Sequence, residues 1–167
     1  MNVLHLDEQR GWRGGEQQAA WLVRGLVERG HRVVVAGRKA SNFLDHFSAD
    51  AAITLYPLPF RSELDLLTAW RLARILRKHA IDIIHAHTSH AHTFACLARH
   101  LASRGKVVVS RRIDYAPGSG FLNRLKYTAP DHFIAVSDRV AAVLGEAGVP
   151  PARVTRVYSS IDLARVE

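Results

Sequence analysis

Four of the chain's ten histidines lie within eight consecutive residues of the stretch DIIHAHTSHAHTF, at His85, His87, His90 and His92. Imidazole side chains bind metals, transfer protons and form hydrogen bonds. The apolar residues before His85 predict a strand, on which His85 and His87 share one face. His90 and His92 fall in the next predicted helix, where residues two positions apart do not share a face. The spacing leaves open a metal site, a polar wall of a ligand pocket, and an ordinary packed or solvated histidine group.

The six residues HAHTSH resemble the H-x-H-x-D-H zinc-ligand run of the metallo-β-lactamase fold, with one departure. Ser89 occupies the position at which that pattern has an aspartate. The surrounding sequence alternates β and α elements, whereas that fold is rich in β structure. Two histidines on one strand do not complete a metal site, so we expect no bound metal. A zinc hydrolase that uses the HAHTSH histidines remains an alternative function.

Two more polar stretches follow predicted strands. The strand NVLHL leads into DEQRGWRGGEQQ, where Gly14 and Gly15 precede a helix expected from about Glu16. Glycines allow a ligand to approach the backbone closely, and the amino end of a helix attracts phosphate. The strand KVVVS leads into Arg111 and Arg112, and an arginine there could hold a phosphate with two parallel hydrogen bonds. Adjacent strand residues face opposite ways, so we expect at most one of the two arginines in a given pocket.

The elements that must position these residues are short apolar runs separated by segments with helical spacing. The runs span 2–6, 32–37, 52–56, 82–86, 106–110, 132–137 and 154–158. Near-continuous apolar strands that alternate with helices predict a Rossmann-like, doubly wound α/β domain. We expect a mostly parallel sheet of about six or seven strands with helices on both faces. Ligands bind such sheets beyond the carboxyl ends of the strands. The loops at 8–15, 87–92 and 111–120 should therefore lie on one rim.

The helix predicted from Glu63 to His79 has two distinct sides. Its buried stripe is predicted to consist of Leu66, Ala69, Ala73, Leu76 and Ala80. Arg71, Arg74 and Lys78 share a different side. A basic helix face is usually solvated and less often a docking surface.

Composition and charge limit the class of partner. The chain has 167 residues, 48% of them hydrophobic, and 23 Lys and Arg against 15 Asp and Glu, which gives a net charge of +8 and a pI near 10.4. This charge favours nucleic acid, anionic lipid or sugar nucleotides. No nucleic-acid-binding motif accompanies the charge, so we expect no nucleic-acid partner. No apolar run reaches the roughly 18 residues of a membrane span and no signal peptide is recognisable, which predicts a cytoplasmic protein.

The segment FLNRLKY, residues 121–127, mixes aromatic, apolar and basic side chains. It is interpreted as a short helix packed on the sheet edge. The alternative is contact with a membrane surface or a lipid-linked substrate. That alternative would make the protein peripheral on the inner membrane.

Five stretches, taken in order, resemble the N-terminal, acceptor-side domain of the family 4 retaining glycosyltransferases of GT-B fold: RGGEQ, DIIHAHTSHAH, SRRIDY, HFIAVSD and VPPARVTRVYSSIDLARVE. The resemblance implies that Gly14, Gly15 and Glu16 line an interdomain cleft near acceptor and phosphate, and that His85 and His87 face it. Many members have a histidine at the end of the fifth strand, where this chain has Arg111 or Arg112. The catalytic candidates are therefore His87, Arg111 and Arg112. A nucleotide-sugar donor is implied as substrate, with no cofactor and no metal.

The same resemblance divides the sequence into a domain at 1–158 and the start of an interdomain linker at 159–167. The C-terminal donor-binding domain of that family is absent from the sequence. The implied function is the acceptor side of a hexosyltransferase that acts on a saccharide or lipid-linked acceptor in envelope polysaccharide or lipopolysaccharide synthesis, inactive as this chain alone. Besides a zinc hydrolase, a non-catalytic Rossmann domain that binds anionic ligands is the remaining alternative. Metal analysis and any reading frame beyond Glu167 distinguish these possibilities.

Overall fold

The computed structural model describes residues 1–62, 65–115 and 120–160, with the backbone alone for 121–124. Seven strands form one sheet, and every pair of neighbouring strands is parallel. They are β1 (Asn2–Asp7), β2 (Arg32–Arg38), β3 (Ile53–Leu58), β4 (Ile83–Ala86), β5 (Lys106–Arg111), β6 (His132–Ala135) and β7 (Val154–Arg156). Their order is β3-β2-β1-β4-β5-β6-β7. The predicted doubly wound α/β fold is confirmed.

Helices connect the strands. They are α1 (Gly14–Glu28), α2 (Asn42–Asp45), α3 (Leu66–Lys78), α4 (Ser89–Ala102), α5 (Phe121–Thr128) and α6 (Asp138–Glu146), with a 3₁₀ turn at Pro151–Arg153. Side-chain oxygens of Thr88 and Ser137 accept hydrogen bonds from Ala91 N and Val140 N, and so cap α4 and α6. None of the described helices has the length and apolar content needed to cross a bilayer.

The two faces of the sheet carry separate cores. On one face Leu4, Ile84 and Val109 pack with residues of α3 and α4, and on the other Val33 and Val35 pack beneath α1 and α2. Alternate strand residues thus serve opposite layers, as the two-residue period of a strand requires. Strand order reverses between β1 and β4, where His5 lies beside His85 in register. This reversal defines the rim at which a ligand is expected.

The structure corrects three details of the sequence analysis. Helix α1 begins at Gly14 rather than at Glu16, so the two glycines form its first turn. Leu66 is 66% exposed, because it lies in the first turn of α3 at the border of the buried arc. Ala80 is exposed because α3 ends at Lys78 and Ala80 takes a left-handed backbone, with φ of 49°. Thr68, Leu72 and Ile75 complete the buried side instead.

Candidate functional site

A cleft opens at the carboxyl ends of β1, β4 and β5. Its walls are formed by Gln9, Arg13, Gly15 and Glu16, by His87, Thr88, Ser89 and His92, and by the run from Val109 to Ile113 together with Tyr127 and Phe133. The start of α1, the histidine stretch and the arginine pair therefore meet on one rim, as the parallel sheet predicts. Residues 116–119 of the third predicted loop lie outside the described residues.

Neither crowding by the described residues nor backbone conformation requires glycine at the start of α1. A Cβ on Gly14 would meet nothing within 4 Å, and one on Gly15 would make an ordinary 3.6 Å contact with Arg112 Cδ. Neither glycine has a positive φ. Glycine inside a helix costs about 1 kcal/mol relative to alanine, less at the ends. Bare backbone at a helix start suits a ligand that must come close to its unpaired N–H groups.

Glu16 has a structural role at the same helix start. Its Oε2 accepts a hydrogen bond of 2.8 Å from the backbone N of Arg13, the residue before α1. The side chain is buried, yet Glu16 also lines the cleft. The carboxylate thus stabilises the first turn of α1 and adds negative charge beside the glycines.

His85 and His87 join a third histidine that the sequence analysis missed, His5 of β1. His5 Nδ1 and His87 Nε2 are 2.9 Å apart, and His85 Nε2 lies 2.8 Å from Ser110 Oγ. One nitrogen from each ring can be chosen so that the three lie within 4.8 Å of one another. Burial lowers the pKa of His5 to about 3 and those of His85 and His87 well below the usual value. The three rings are therefore neutral at physiological pH.

The hydrogen bond between His5 and His87 uses only one of the two N–H groups that this pair carries. Two neutral imidazoles carry two N–H groups, and their shared bond uses one of them. The remaining nitrogens, His5 Nε2 and His87 Nδ1, have no partner among the described residues. Of the two residues, only His87 is part of the cleft wall.

His90 and His92 lie apart from this cluster and from each other. His90 is about half exposed, and its Nδ1 lies 3.5 Å from Glu8 Oε1. His92 is buried against the edges of Tyr127 and Phe133, with ring centroids 5.7 Å away in both cases. Burial lowers the pKa of His92 to about 3. The HAHTSH run therefore does not converge on one point.

Both Arg111 and Arg112 line the cleft, because β5 ends at Arg111 and the alternation of strand residues does not extend to Arg112. The expectation of at most one arginine in the pocket is wrong for this reason. Arg111 donates to Tyr127 Oη and to the carbonyl of Tyr115, and its guanidinium lies 5.3 Å from the centre of the Tyr127 ring. Arg112 lies beside Gly15 and makes a long contact of 3.4 Å with the carbonyl of His87. Arg112 is thus the less constrained of the two.

Two acidic residues at the end of β1, Asp7 and Glu8, were also missed. Both are buried. Glu8 accepts hydrogen bonds from Thr88 Oγ1 and, at 3.2 Å, from Ala91 N, and so adds a second cap to α4. Asp7 Oδ1 accepts a 2.8 Å bond from Gln9 N. Burial, reinforced by the carboxylates of Glu16 and Glu8, raises the pKa of Asp7 to about 7, although Gln9 N and Arg112 oppose the shift.

The arrangement suits an anionic, hydroxyl-bearing ligand. Arg112 and the first-turn N–H groups of α1 attract negative charge, although the Glu16 carboxylate lies at the same helix start; at α4, Glu8 accepts from the first-turn N–H of Ala91. Neutral His87 supplies a hydrogen-bonding ring. The histidine cluster could supply three nitrogens to a metal, but His5 and His87 are already joined by a hydrogen bond.

Comparison with solved structures shows the same architecture in larger proteins. HepE from Anabaena, in complex with UDP-glucose, matches 98% of this chain with a TM-score of 0.79 at 18% identity, over 45% of its own length. The lipopolysaccharide outer core galactosyltransferase WaaB gives a TM-score of 0.74 at 13% identity, over 99% of this chain and 48% of its own. MurG from Acinetobacter baumannii gives 0.70 at 12% identity, over 99% of this chain and 47% of its own. The chain thus spans about half the length of these proteins.

Sequence comparison identifies the family. None of the curated protein sequences searched matches the chain. The family model described as Glycosyltransferase Family 4 matches residues 12–165, which is nearly the whole sequence. The glycine-bearing helix start, the histidine strand and the arginine pair all fall within the matched region, so this chain belongs to glycosyltransferase family 4.

Proposed function

We propose that this chain forms the acceptor side of a retaining glycosyltransferase of GT-B fold. A second domain holds the nucleotide-sugar donor and faces the rim described above. The observation that carries the proposal is the meeting of Gly15, His87 and Arg112 in one cleft beside the strand-order reversal. The likeness to proteins about twice as long supports the two-domain arrangement. In this proposal residues 1–158 form the domain and 159–167 begin the linker, of which 161–167 lie outside the described residues.

Each group has a role in this proposal. The oxygen of the acceptor hydroxyl bonds to the anomeric carbon on the face from which the nucleotide phosphate departs, and the hydroxyl proton passes to the departing phosphate oxygen. Negative charge grows on the departing phosphate, where Arg112 and the N–H groups of Gly14 and Gly15 stabilise it. His87 orients the acceptor from the cleft wall, while His85 and Glu16 hold the surrounding wall. Arg111 fixes Tyr127 and is the less favoured catalytic candidate.

The acceptor is a saccharide or a lipid-linked saccharide used in envelope polysaccharide or lipopolysaccharide synthesis, on the cytoplasmic side of the inner membrane. The fold shared with the galactosyltransferase WaaB supports this class of acceptor. The reaction in this proposal needs no cofactor and no metal, because the cleft offers positive charge from arginine and helix dipole.

A zinc-dependent function is the weaker candidate. Its support is the cluster of His5, His85 and His87. Against it, the cluster lies in a parallel sheet, and His90 and His92 do not contribute. The hydrogen bond between His5 Nδ1 and His87 Nε2 also occupies one nitrogen of each of these rings already.

The test is a transfer assay with a panel of UDP- and GDP-linked sugars and with oligosaccharide and lipid-linked acceptors, read by mass spectrometry. We expect the chain alone to give no product, because the donor side of the cleft is supplied by the second domain. Robust transfer by the chain alone would contradict the two-domain proposal. Where the chain is joined to its donor domain, we expect transfer, retention of anomeric configuration, and loss of activity in Arg112→Ala.

A further inference from the structure

The solvent-facing side of α3 has a composition unlike an ordinary solvated helix surface. It presents Leu66, Leu67, Trp70, Arg71, Arg74, Arg77 and Lys78, and α3 contains no acidic residue. The three apolar side chains are 66%, 48% and 47% exposed. Helical geometry places all seven on one arc, opposite Leu72 and Leu76. The α3 face, as we name these seven residues, therefore combines exposed apolar and basic groups.

The four basic residues of the α3 face have no acidic partner within the part of the chain that the structure describes. Arg77 donates to the carbonyl of Leu101, and Lys78 Nζ lies 3.1 Å from Tyr56 Oη. The Arg74 guanidinium lies 4.9 Å from the centre of the Trp70 ring. These partners carry no charge, so no described residue offsets the positive charge that the face offers to an external anion.

A shallow groove beside edge strand β3 adds a site for a headgroup. It runs between β3 and α3 and is lined by Tyr56, Leu58 and Trp70 with the basic residues of α3. The apolar residues form the first two turns of α3, and the basic residues follow from Arg71 onward. An amphipathic surface with Trp and Leu beside Arg and Lys matches the boundary between lipid headgroups and acyl chains.

We propose that the α3 face docks the protein on a bilayer surface that carries anionic lipid headgroups. Leu66, Leu67 and Trp70 enter the interface, while the arginines contact phosphate oxygens. Because α3 follows the carboxyl end of β3 and runs back along the sheet, its apolar first turn lies at the end where the cleft opens. Docking would bring the cleft close to the lipid surface. The inference goes beyond the proposed transfer reaction and does not depend on it.

The structure favours the α3 face over the α5 segment that the sequence suggested. In α5, Tyr127 is only 6% exposed, since it packs on Phe133 and beneath Arg111. The side chains of 121–124 lie outside the described residues. The α3 face instead offers a described, exposed tryptophan with basic residues on both sides of it along the helix arc.

The test is co-sedimentation with vesicles of phosphatidylcholine alone and of phosphatidylcholine mixed with phosphatidylglycerol. We expect binding to the anionic vesicles only, with loss as salt rises, because the Debye length falls from about 10 Å at 0.1 M to about 3 Å at 1 M. Arg71→Ser with Arg74→Ser should weaken the partition coefficient about 30-fold, which corresponds to about 1 kcal/mol per basic residue. Trp70→Ser should also weaken binding, and the blue shift of tryptophan fluorescence on binding should disappear in Trp70→Phe.

The matched control is Arg32→Ser with Lys106→Ser. Both residues are exposed at the amino ends of strands, opposite the cleft, and the pair removes the same two charges. We expect the control pair to lower the partition coefficient by a factor several times smaller than the α3 pair does. All the changed residues are exposed, and thermal melts confirm that each variant folds. Equal losses in the two pairs, equal binding to neutral vesicles, no vesicle binding, or tighter binding to duplex DNA than to vesicles would each overturn the proposal.

Discussion

Replacing the buried carboxylate of Asp7 by the neutral amide of asparagine is expected to stabilise the protein at pH 8 much more than at pH 5. Asp7 is 1% exposed at the end of β1, and burial raises its pKa from 3.8 to about 7. The folded protein therefore keeps a proton on Asp7 that the unfolded chain has already lost. Stability falls as pH rises through this window, because the folded state binds more protons than the unfolded state.

The size of the effect follows from the difference between the pKa of Asp7 in the unfolded chain and in the folded protein. Each pH unit between the unfolded and folded pKa costs about 1.4 kcal/mol of unfolding free energy. The penalty of ionising Asp7 approaches about 4 kcal/mol above pH 7, and about 2 to 3 kcal/mol of it develops between pH 5 and pH 8. Asparagine carries no such penalty, and its Oδ1 can still accept the bond from Gln9 N.

The assay is urea denaturation of wild type and Asp7→Asn at half-unit steps from pH 5 to pH 8. We expect the difference in unfolding free energy to grow by about 2 to 3 kcal/mol in favour of the variant over that range. Asp45→Asn serves as control, because Asp45 is exposed and its carboxylate stays in water. A difference for Asp7→Asn that stays flat, or that shrinks as pH rises, would refute the reasoning.

Three further predictions concern the same rim. Gly15→Ala should leave the melting temperature unchanged or raise it, since alanine favours the helix by up to about 1 kcal/mol. The same variant should bind saccharide at least tenfold more weakly by calorimetry. Equal binding would show that the glycine has no role in binding. His5 and His92 have pKa values of about 3 in the folded protein, so between pH 7 and pH 5 the unfolded chain takes up protons on them that the folded chain does not. Acidification over that range should therefore lower the free energy of unfolding by about 2 kcal/mol for each of these histidines. In urea titrations His92→Phe should weaken that pH dependence, and an unchanged slope would count against burial as its cause. Elemental analysis should find zinc only at substoichiometric levels; one tightly held ion per chain, lost in His5→Gln, would support the zinc-dependent alternative.

The fold was largely predictable because its strands are buried on both faces. Runs such as RVVVAG and KVVVS have no polar alternation, and that pattern is specific to parallel sheets covered by helices. Element ends were less predictable. The start of α1 at Gly14 depends on Glu16 bonding back to Arg13 N, and α2 is only four residues long, held by burial of Phe43 and Leu44.

The site was predictable in place but not in membership. Sequence position alone put the glycines, His87 and the arginines after strand ends. These residues could then be grouped, because the carboxyl ends of parallel strands share one edge of the sheet, where ligands bind. His5, however, becomes a neighbour of His85 only through the pairing of β1 with β4, which are 80 residues apart along the chain. A histidine inside the apolar run NVLHL was the available signal, because a buried polar ring needs a partner. The raised pKa of Asp7 results from burial of its carboxyl group, and the spacing of residues in the sequence does not show which carboxyl groups are buried.

The most direct test of the central claim is an amide chemical-shift map of the isotopically labelled chain titrated with lactose, maltose and cellobiose at millimolar concentrations. If the rim cleft is the acceptor side of a sugar-transfer site, at least one of these disaccharides will shift the amides of residues 9–17, 87–92 and 110–113, and Gly15→Ala will abolish those shifts. Shifts confined to another surface, or a map that none of the three sugars changes, would contradict the account.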